Sequence, residues 1–437
     1  MKNSEITLPA FSLWRNRNYL LLFSAQIVSL LGSGVTTVGL ALFAYQLTGG
    51  ESATAVIGNA LFLRILAFLI FSQPAGVIAD RISRKTILIT TDVLRFGLLA
   101  LFPLITEVWQ IYLLIFLINA VTAFFTPTYE ASIPEIVGEK HYVEALSYSR
   151  VAVNVEAFAA PALAGLLVAL MGVRWVFWFD AATYLVSALL VLLTVMPFVK
   201  KAVAPLSATG FLSELTVGTR IILREPSLRQ AIILSFAEAL AGAAAIVATV
   251  VYIHDILGYG DTAFALVMAG LGLGSTIAAI ALGRATGRFE KDAAGREKLH
   301  GQRHVWTRYA LVAGGLILGL LLLPGIFKPS IVVFAVMWFL NGAGQSLIGI
   351  SSSTLLAEHT DEAERGKAYA AHFALTHACW LITYPAIGYS AGYFGTPATF
   401  TVAGVICLFV TAAAVALGRG ENDMHTHDKD RVQPSTG

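Results

Sequence analysis

Apolar residues in this chain gather into long runs of 17 to 29 positions with few charges, rather than alternating or recurring every third or fourth position. Crossing about 30 Å of hydrocarbon takes roughly 20 helical residues. By that measure the pattern predicts twelve spans: Tyr19–Leu47, Ala53–Ile78, Thr86–Ile105, Trp109–Phe125, Val151–Met171, Val176–Met196, Gln230–Ile253, Ala263–Leu282, Tyr309–Phe327, Ile331–Thr354, Ala368–Tyr389 and Ala398–Leu417. Lipid supplies no water to backbone groups, so such runs must close their hydrogen bonds within a helix. A barrel would instead need segments of about 10 residues with alternating polarity. The predicted fold is an all-α membrane protein with twelve transmembrane helices in two six-helix, pseudo-symmetric halves. The first run, at 29 residues, exceeds the roughly 7–15 of a secretory signal and holds no small-residue cleavage site, so it is expected to stay in the mature protein.

The longest polar segment inside the array, Phe198–Arg229, divides the spans six and six. The expected organisation is an N-terminal half over 1–197, a central cytoplasmic loop over 198–229, a C-terminal half over 230–417 and a cytoplasmic tail, expected to be disordered, over 418–437. GVIADRISRK (Gly76–Lys85) after span 2 is echoed by GRATGRFEKD (Gly283–Asp292) after span 8, as internal duplication would leave it. Two such halves with a solute site between them near the midplane is one way of building a secondary transporter.

Charge placement orients the array. Outside the spans, 25 Lys and Arg fall on the side shared by both termini and only two, Arg174 and Lys328, on the other. Basic loops stay in the cytoplasm, so both termini are expected there, in a bacterial inner membrane. Of the 437 residues 57% are hydrophobic and only 13% charged. A soluble domain carries about 25% charged residues, so a soluble enzyme or a nucleic-acid binder is excluded. The net charge of +2 suggests no polyanionic partner. Cys379 and Cys407 both sit in apolar runs and form no CxxC, hence no disulfide framework or thiolate site. No Walker motif is present to couple ATP, and no cofactor is expected.

At Gly76, Asp80, Arg81, Arg84 and Lys85 the sequence resembles the G-x-x-x-D-R-x-G-R-R/K loop of the major facilitator superfamily, with Ser83 where the second glycine usually stands. The resemblance extends over the whole chain through span number, central loop, charge pattern and motif position. It implies a conformational latch between the halves. The plain alternative is a basic loop that only sets topology. FFTPTYEASIPEIVG (Phe124–Gly138), AAPALAGLL (Ala159–Leu167) and WFDAATYLVSAL (Trp178–Leu189) resemble the efflux branch that includes macrolide-efflux and nickel-resistance permeases. The opening FSLWRNRNYLLLFSAQIVSLLGSG (Phe11–Gly34) is similar to the nickel-resistance permeases in particular. Span 4 has no arginine and Pro161 follows Ala160 rather than glycine, so coupling through a span 4 arginine does not carry over.

Six charged residues fall within the spans: Arg64, Asp92, Arg95, Glu156, Asp180 and Glu238. Each needs a partner, an aqueous cavity or a proton, because an ionised group at the bilayer centre costs about 2.5–3.5 kcal/mol on insertion scales. Asp92 and Arg95 are three residues apart on span 3 and can pair. Asp180, near the outer end of span 6, is expected to reach Arg174 or headgroup water. Arg64 lies deep in span 2, and the acid it neutralises is not named by the sequence. Glu238 stands among Ser235, Ala237, Ala239, Ala241 and Gly242 with no basic residue within a turn. A carboxyl buried away from cations favours its neutral form and can exchange a proton at cellular pH. Glu238 is therefore the first proton-coupling candidate, with Glu156 second and Asp92 and Arg95 beside them. The alternative is a protonated acid that merely donates one hydrogen bond to a backbone carbonyl.

Uncharged polar residues form stripes. Gln26, Ser29, Ser33 and Thr37 on span 1, and Asn119, Thr122 and Thr126 with Glu130 beyond span 4, both follow offsets of 0, 3, 7 and 11, and so share a face within about 80°. Asn341, Gln345 and Ser352 follow a similar arc on span 10. In the superfamily, spans 1, 4, 7 and 10 line the central cavity, which makes Gln26, Ser33, Asn119, Thr126, Asn341 and Gln345 substrate candidates; His372 of span 11 is a further one. Ser and Thr also serve helix packing; the carboxamides, with more groups to satisfy, point more strongly to a polar site. His372, His377 and Cys379 share span 11, yet the two histidines lie about 140° apart around the axis and Cys379 about 10.5 Å along it from His372. They do not make one metal site, although His372 or His377 can supply a ligand to a site built across helices. His425 and His427 in the tail are read as incidental.

The expected function is proton-antiport export of a small toxic solute, either an amphiphilic drug or a divalent metal such as nickel, by alternating access. The expected partners are that solute, protons and the lipid bilayer, with a monomer as the working state. A non-pumping sensor or lipid-handling protein on the same scaffold, and a nutrient uptake permease, are the competing readings.

Overall fold

The computed structural model describes residues 13–196, 208–288, 296–360 and 364–418, and the regular structure among them is helical. In chain order the helices are α1 (Arg17–Thr48), α2 (Gly50–Arg81), α3 (Arg84–Ala100), α4 (Val108–Val137), α5 (Glu139–Met171), α6 (Val173–Leu193) and α7 (Ala208–Arg224). They continue with α8 (Pro226–Ala243, running on through Ile256), α9 (Asp261–Arg288), α10 (Arg296–Leu322), α11 (Ile331–Glu358), α12 (Arg365–Phe394) and α13 (Thr396–Gly418). Predicted spans 1–6 fall on α1–α6 and spans 7–12 on α8–α13. Among the described residues, ten helices are long and apolar enough to cross a membrane. The other two that carry predicted spans, α5 and α12, have 33 and 30 residues.

Several helices outrun their apolar runs. α4 continues twelve residues past Phe125, and α5 begins twelve before Val151. Hydropathy marks where lipid is; a helix, once nucleated, propagates wherever each added residue gains a backbone hydrogen bond. The segment read as a central loop contains α7. Its described end has Gly218 and Ile222 buried while Thr216, Arg220 and Arg224 are exposed. That face packs on α12, where a Cβ on Gly218 would collide with the backbone carbonyl of Lys367. An amphipathic helix of this length never produces a 20-residue apolar run, so the span criterion passes over it.

Contacts divide the chain into two compact units, Met1–Leu40 with Leu63–Pro205, and Ala41–Phe62 with Leu206–Gly437. In the first unit, the start of α1 and the preceding turn close an aromatic cluster in which Trp14 meets Tyr148 and Phe23 at 4.8 and 5.9 Å between ring centroids. In the second, Tyr252, Phe334, Trp338 and Phe400 are buried together, with Phe334 and Trp338 4.0 Å apart. The Tyr252 hydroxyl donates to the Gly325 carbonyl at 2.6 Å. α8 is α-helical to Ala243 and again over Thr249–Val251, with π-helical turns at Ala244–Ala248 and Tyr252–Ile256. Each π turn shifts the direction in which the following side chains leave the helix.

The end of α1 and the start of α2 form a hairpin that belongs to the second unit. It turns at Gly49 and Gly50, whose φ of 68° and 40° side-chain-bearing residues adopt with strain.

Candidate functional site

The polar residues form two groups, one in each unit. In the first, Asp92 and Arg95 are 0% and 2% exposed and pair along α3, as their spacing predicts. Ser187 of α6 donates to the second Asp92 oxygen at 2.7 Å. The Arg95 guanidinium lies between the rings of Phe125 (4.2 Å) and Tyr184 (4.4 Å). The two charges thus tie α3 to α4 and α6, each cation–π contact contributing about 0.5–2 kcal/mol.

Asp180 departs from its expected setting. It is 1% exposed and accepts hydrogen bonds from Thr36 of α1 (2.6 Å) and Thr183 (3.2 Å), whereas Arg174 is exposed. α1 has glycine where these acids approach. A Cβ on Gly32 would overlap Asp180, and one on Gly34 would overlap the half-buried carboxylate of Glu156. Arg64 acts electrostatically on both Glu156 and Asp180, and its guanidinium donates to Thr37 at 3.1 Å.

The α1 and α4 stripes meet different fates. Gln26 accepts from the Tyr129 hydroxyl at 2.6 Å, and Ser33 bonds both the Ser29 carbonyl and the Tyr184 hydroxyl at 3.0 Å. Asn119 and Thr122 donate to carbonyls one turn back on their own helix, and Thr126 is exposed. Tyr184, within an apolar run, and Tyr129, just past the end of one, organise this side and carry no sequence signal beyond their hydroxyls.

In the second unit Glu238 is half-buried on α8. Among the described residues no cation or hydrogen-bond donor engages its carboxyl. Opposite stands Gly349 of α11, whose Cβ, were there one, would sit 3.4 Å from the carboxylate. One turn along α8, the Trp380 ring of α12 packs onto Gly242, and the Gln345 amide oxygen lies 3.1 Å from where a Cβ would be. Gln345 in turn donates to Asn341 at 2.7 Å. The Asn341 amide nitrogen is buried with no partner among the described residues. Glu238, Gln345, Asn341 and Trp380 therefore lie close together as a carboxyl, a buried amide nitrogen without a partner among the described residues, and an aromatic ring. Glycines at 242 and 349 make the room.

The histidines of α12 have different surroundings. The His372 Nε2 is buried without a partner, while His377 bonds the Phe373 carbonyl at 2.9 Å and stacks on the Phe373 ring. Among the described residues no three His, Cys, Asp or Glu side chains are placed to hold a metal ion. The tail histidines lie outside the described residues. Of the latch residues, Gly76, Asp80 and Arg81 belong to α2, and their side chains lie outside the described ones. Arg84 pairs with Glu135 at 2.7 Å and donates to the Ala131 carbonyl of α4; Lys85 donates to the Leu192 and Thr194 carbonyls at the end of α6 (2.6 and 2.9 Å). Lys85 sits where the carbonyls of a helix end run out of partners. A cavity of about 240 Å³ lined by Leu101, Leu104, Trp109 and Leu113 is almost wholly apolar and includes none of these candidates.

Long apolar helices among the described residues, with acids and carboxamides placed between them, define a membrane transport protein rather than an enzyme. The model of the Major Facilitator Superfamily matches residues 22–298 and 302–434, and the chain belongs to that family. It is 25% identical over 421 residues to the uncharacterized MFS-type transporter YfiS of Bacillus subtilis, covering 93% of this chain and 94% of that protein. Macrolide efflux protein A of Streptococcus pyogenes is 23% identical over 220 residues, which is 49% of this chain and 53% of the relative. Among solved structures, a bacterial homolog of the human lysosomal transporter Spinster shares the fold with a TM-score of 0.70 at 14% identity, covering 93% of this chain and 97% of that one.

Proposed function

We propose that this transporter exports a small amphiphilic organic solute in exchange for protons, with Glu238 carrying the proton. One observation supports this above the others: Glu238 is a half-buried carboxyl that no cation or donor engages among the described residues, set beside the Asn341–Gln345 amides and the Trp380 ring. Such a group can release its proton when a solute occupies the patch and regain it when the solute leaves. The tryptophan suits an apolar or cationic body and the amides suit its polar groups. A metal cargo has less support, since no three ligating side chains among the described residues converge. The likeness to proteins named for macrolide efflux and multidrug resistance favours export over uptake. The inner membrane with cytoplasmic termini, a working monomer and an Asp80-centred latch belong to the same proposal.

The test is a susceptibility panel in a pump-depleted bacterial host, covering macrolides, lipophilic cations and Ni, Co and Zn salts, followed by transport in everted vesicles. Glu238→Gln keeps the shape but cannot cycle a proton, so uphill, pH-driven export is expected to vanish while downhill exchange survives. Uphill export by the variant would move the role to Glu156 or Asp92. Protection against metal salts alone, lost in a His372→Ala/His377→Ala variant, would replace the organic cargo with a metal. A chain that confers no tolerance and moves no solute would favour a sensor.

A further inference from the structure

The hairpin that joins α1 to α2 is held in the second unit by a cluster that none of the transport steps above uses. The Tyr45 hydroxyl donates to Asp255 at 2.5 Å, and the Gln46 amide donates to Asp261 at 3.2 Å. Between these two acids lies His254, on the second π turn of α8. Its Nδ1 is 2.8 Å from the Val250 carbonyl and its Nε2 is 2.8 Å from the other Asp261 oxygen. The Tyr45 ring covers it, with centroids 4.4 Å apart.

Both nitrogens of this imidazole face acceptors. A carbonyl only accepts, so Nδ1 carries a hydrogen. The contact between Nε2 and the carboxylate needs a second proton, whether it resides on the ring or on Asp261. The His254–Asp261 pair therefore holds one exchangeable proton when the hairpin is docked. Its removal would set a nitrogen lone pair against a carboxylate at hydrogen-bond distance. Asp261 would then have to turn away, taking the Gln46 contact with it. Where the proton resides on the ring, Tyr45 would also lose a cation against its face. The charged and titratable groups acting on the ring are Asp255 on α8, Asp261 on α9 and Tyr45 on α1.

α1 and α2 belong by their longer parts to the first unit and by this hairpin to the second. The contacts to Asp255 and Asp261 therefore bear on where the ends of α1 and α2 that belong to the second unit are held. We infer that His254 and Asp261 form a second proton-binding site, which clamps the α1–α2 hairpin onto the second unit when protonated and releases it when not. The charge asymmetry puts this end of α1 on the outside. Proton entry from the medium would then favour docking there, which deepens the proton-antiport reading and rests on it.

The test needs no substrate. Spin labels at Ser52→Cys and Thr262→Cys, both exposed positions in the second unit, report hairpin docking in the full chain with Cys379 and Cys407 replaced, reconstituted in lipid nanodiscs. One short distance is expected at pH 6, and a longer population is expected to grow at least threefold by pH 9. His254→Gln should flatten that response, and so should Asp261→Asn if the first variant fails to fold; Glu238→Gln should leave it intact. A response that persists in both clamp variants, or one that disappears only in Glu238→Gln, overturns the proposal, as does no response in the parent. None of these outcomes decides whether export is proton-driven, which the vesicle assay on Glu238→Gln decides by itself.

Discussion

Gly58 of α2 and Gly388 of α12 meet backbone to backbone: a Cβ on Gly58 would stand 3.2 Å from the Gly388 Cα, and one on Gly388 would stand 3.3 Å from the Gly58 Cα. Thr54, one turn earlier, donates to the Gly388 carbonyl at 2.8 Å, and Asn59 donates to the Tyr389 hydroxyl at 3.0 Å. These contacts hold the start of α2 against α12. Small residues permit this approach, and lipid adds no hydrophobic driving force to replace it.

Gly58→Ala is therefore expected to cost about 1–3 kcal/mol, the range for overpacking against atoms that cannot yield. Its Cβ would lie 2.6 Å from the Tyr384 carbonyl. A thermal-unfolding series in detergent should show a lower midpoint for Gly58→Ala than for alanine at Gly97, where nothing lies within 4 Å of the added carbon. Equal midpoints would remove the close contact from the account.

Breaking the Asp92–Arg95 pair from one side should be worse than removing both charges. Arg95 alone would remain at 2% exposure, and an orphaned buried charge costs about 3–5 kcal/mol. Asp92→Leu should thus fold poorly, while Asp92→Leu/Arg95→Met recovers much of the loss in the same unfolding assay. Additive losses would mean that the two groups do not depend on each other.

Arg84 and Lys85 are expected to act on stability rather than on switching, because their described partners all lie within the first unit. Lys85→Ala leaves two carbonyls at the end of α6 without their donor, at roughly 1.5–3 kcal/mol for hydrogen bonds to a charged group. The melting midpoint should fall while the initial rate of solute transport per folded molecule stays unchanged. Asp80→Asn should do the reverse if the loop is a latch, and a joint fall in both variants would assign the whole motif to packing.

Asn341→Ala should weaken solute recognition without unfolding the protein. The change removes a buried amide nitrogen that has no partner among the described residues, together with the acceptor for Gln345. A half-saturation concentration about tenfold higher is expected, equivalent to about 1.4 kcal/mol. An unchanged value would take the carboxamides out of the solute site.

Reporter fusions settle the orientation. Fusions after Gly50, Val173 and Gly260 should report the extracytoplasmic side, and fusions at Ala208 and Ala293 the cytoplasm. The opposite signal at Ala293 would overturn the span assignment drawn from the charge split.

The order of amino acids determines by itself that this chain is a helical membrane protein, where its spans lie, and that Asp92 pairs with Arg95. Those features are local: apolar run length is set by bilayer thickness, and a three-residue spacing is a property of one helix. It also singles out Glu238, since the want of a cation within a turn is visible in one dimension. α7 escapes because its apolar face repeats at helical period without a continuous run. The partners of Gln26, Asp180 and Arg64 lie on other helices, and hydropathy carries no information about which helix faces which. Only tertiary structure brings Trp380 and Gln345 to Gly242, or lays Gly388 on Gly58. It alone transfers residues 41–62 to the second unit, where two π turns re-aim His254 and Asp255 beyond the end of the predicted span. Chemistry shared between helices depends on crossing geometry, and crossing geometry is decided by packing small residues against backbone.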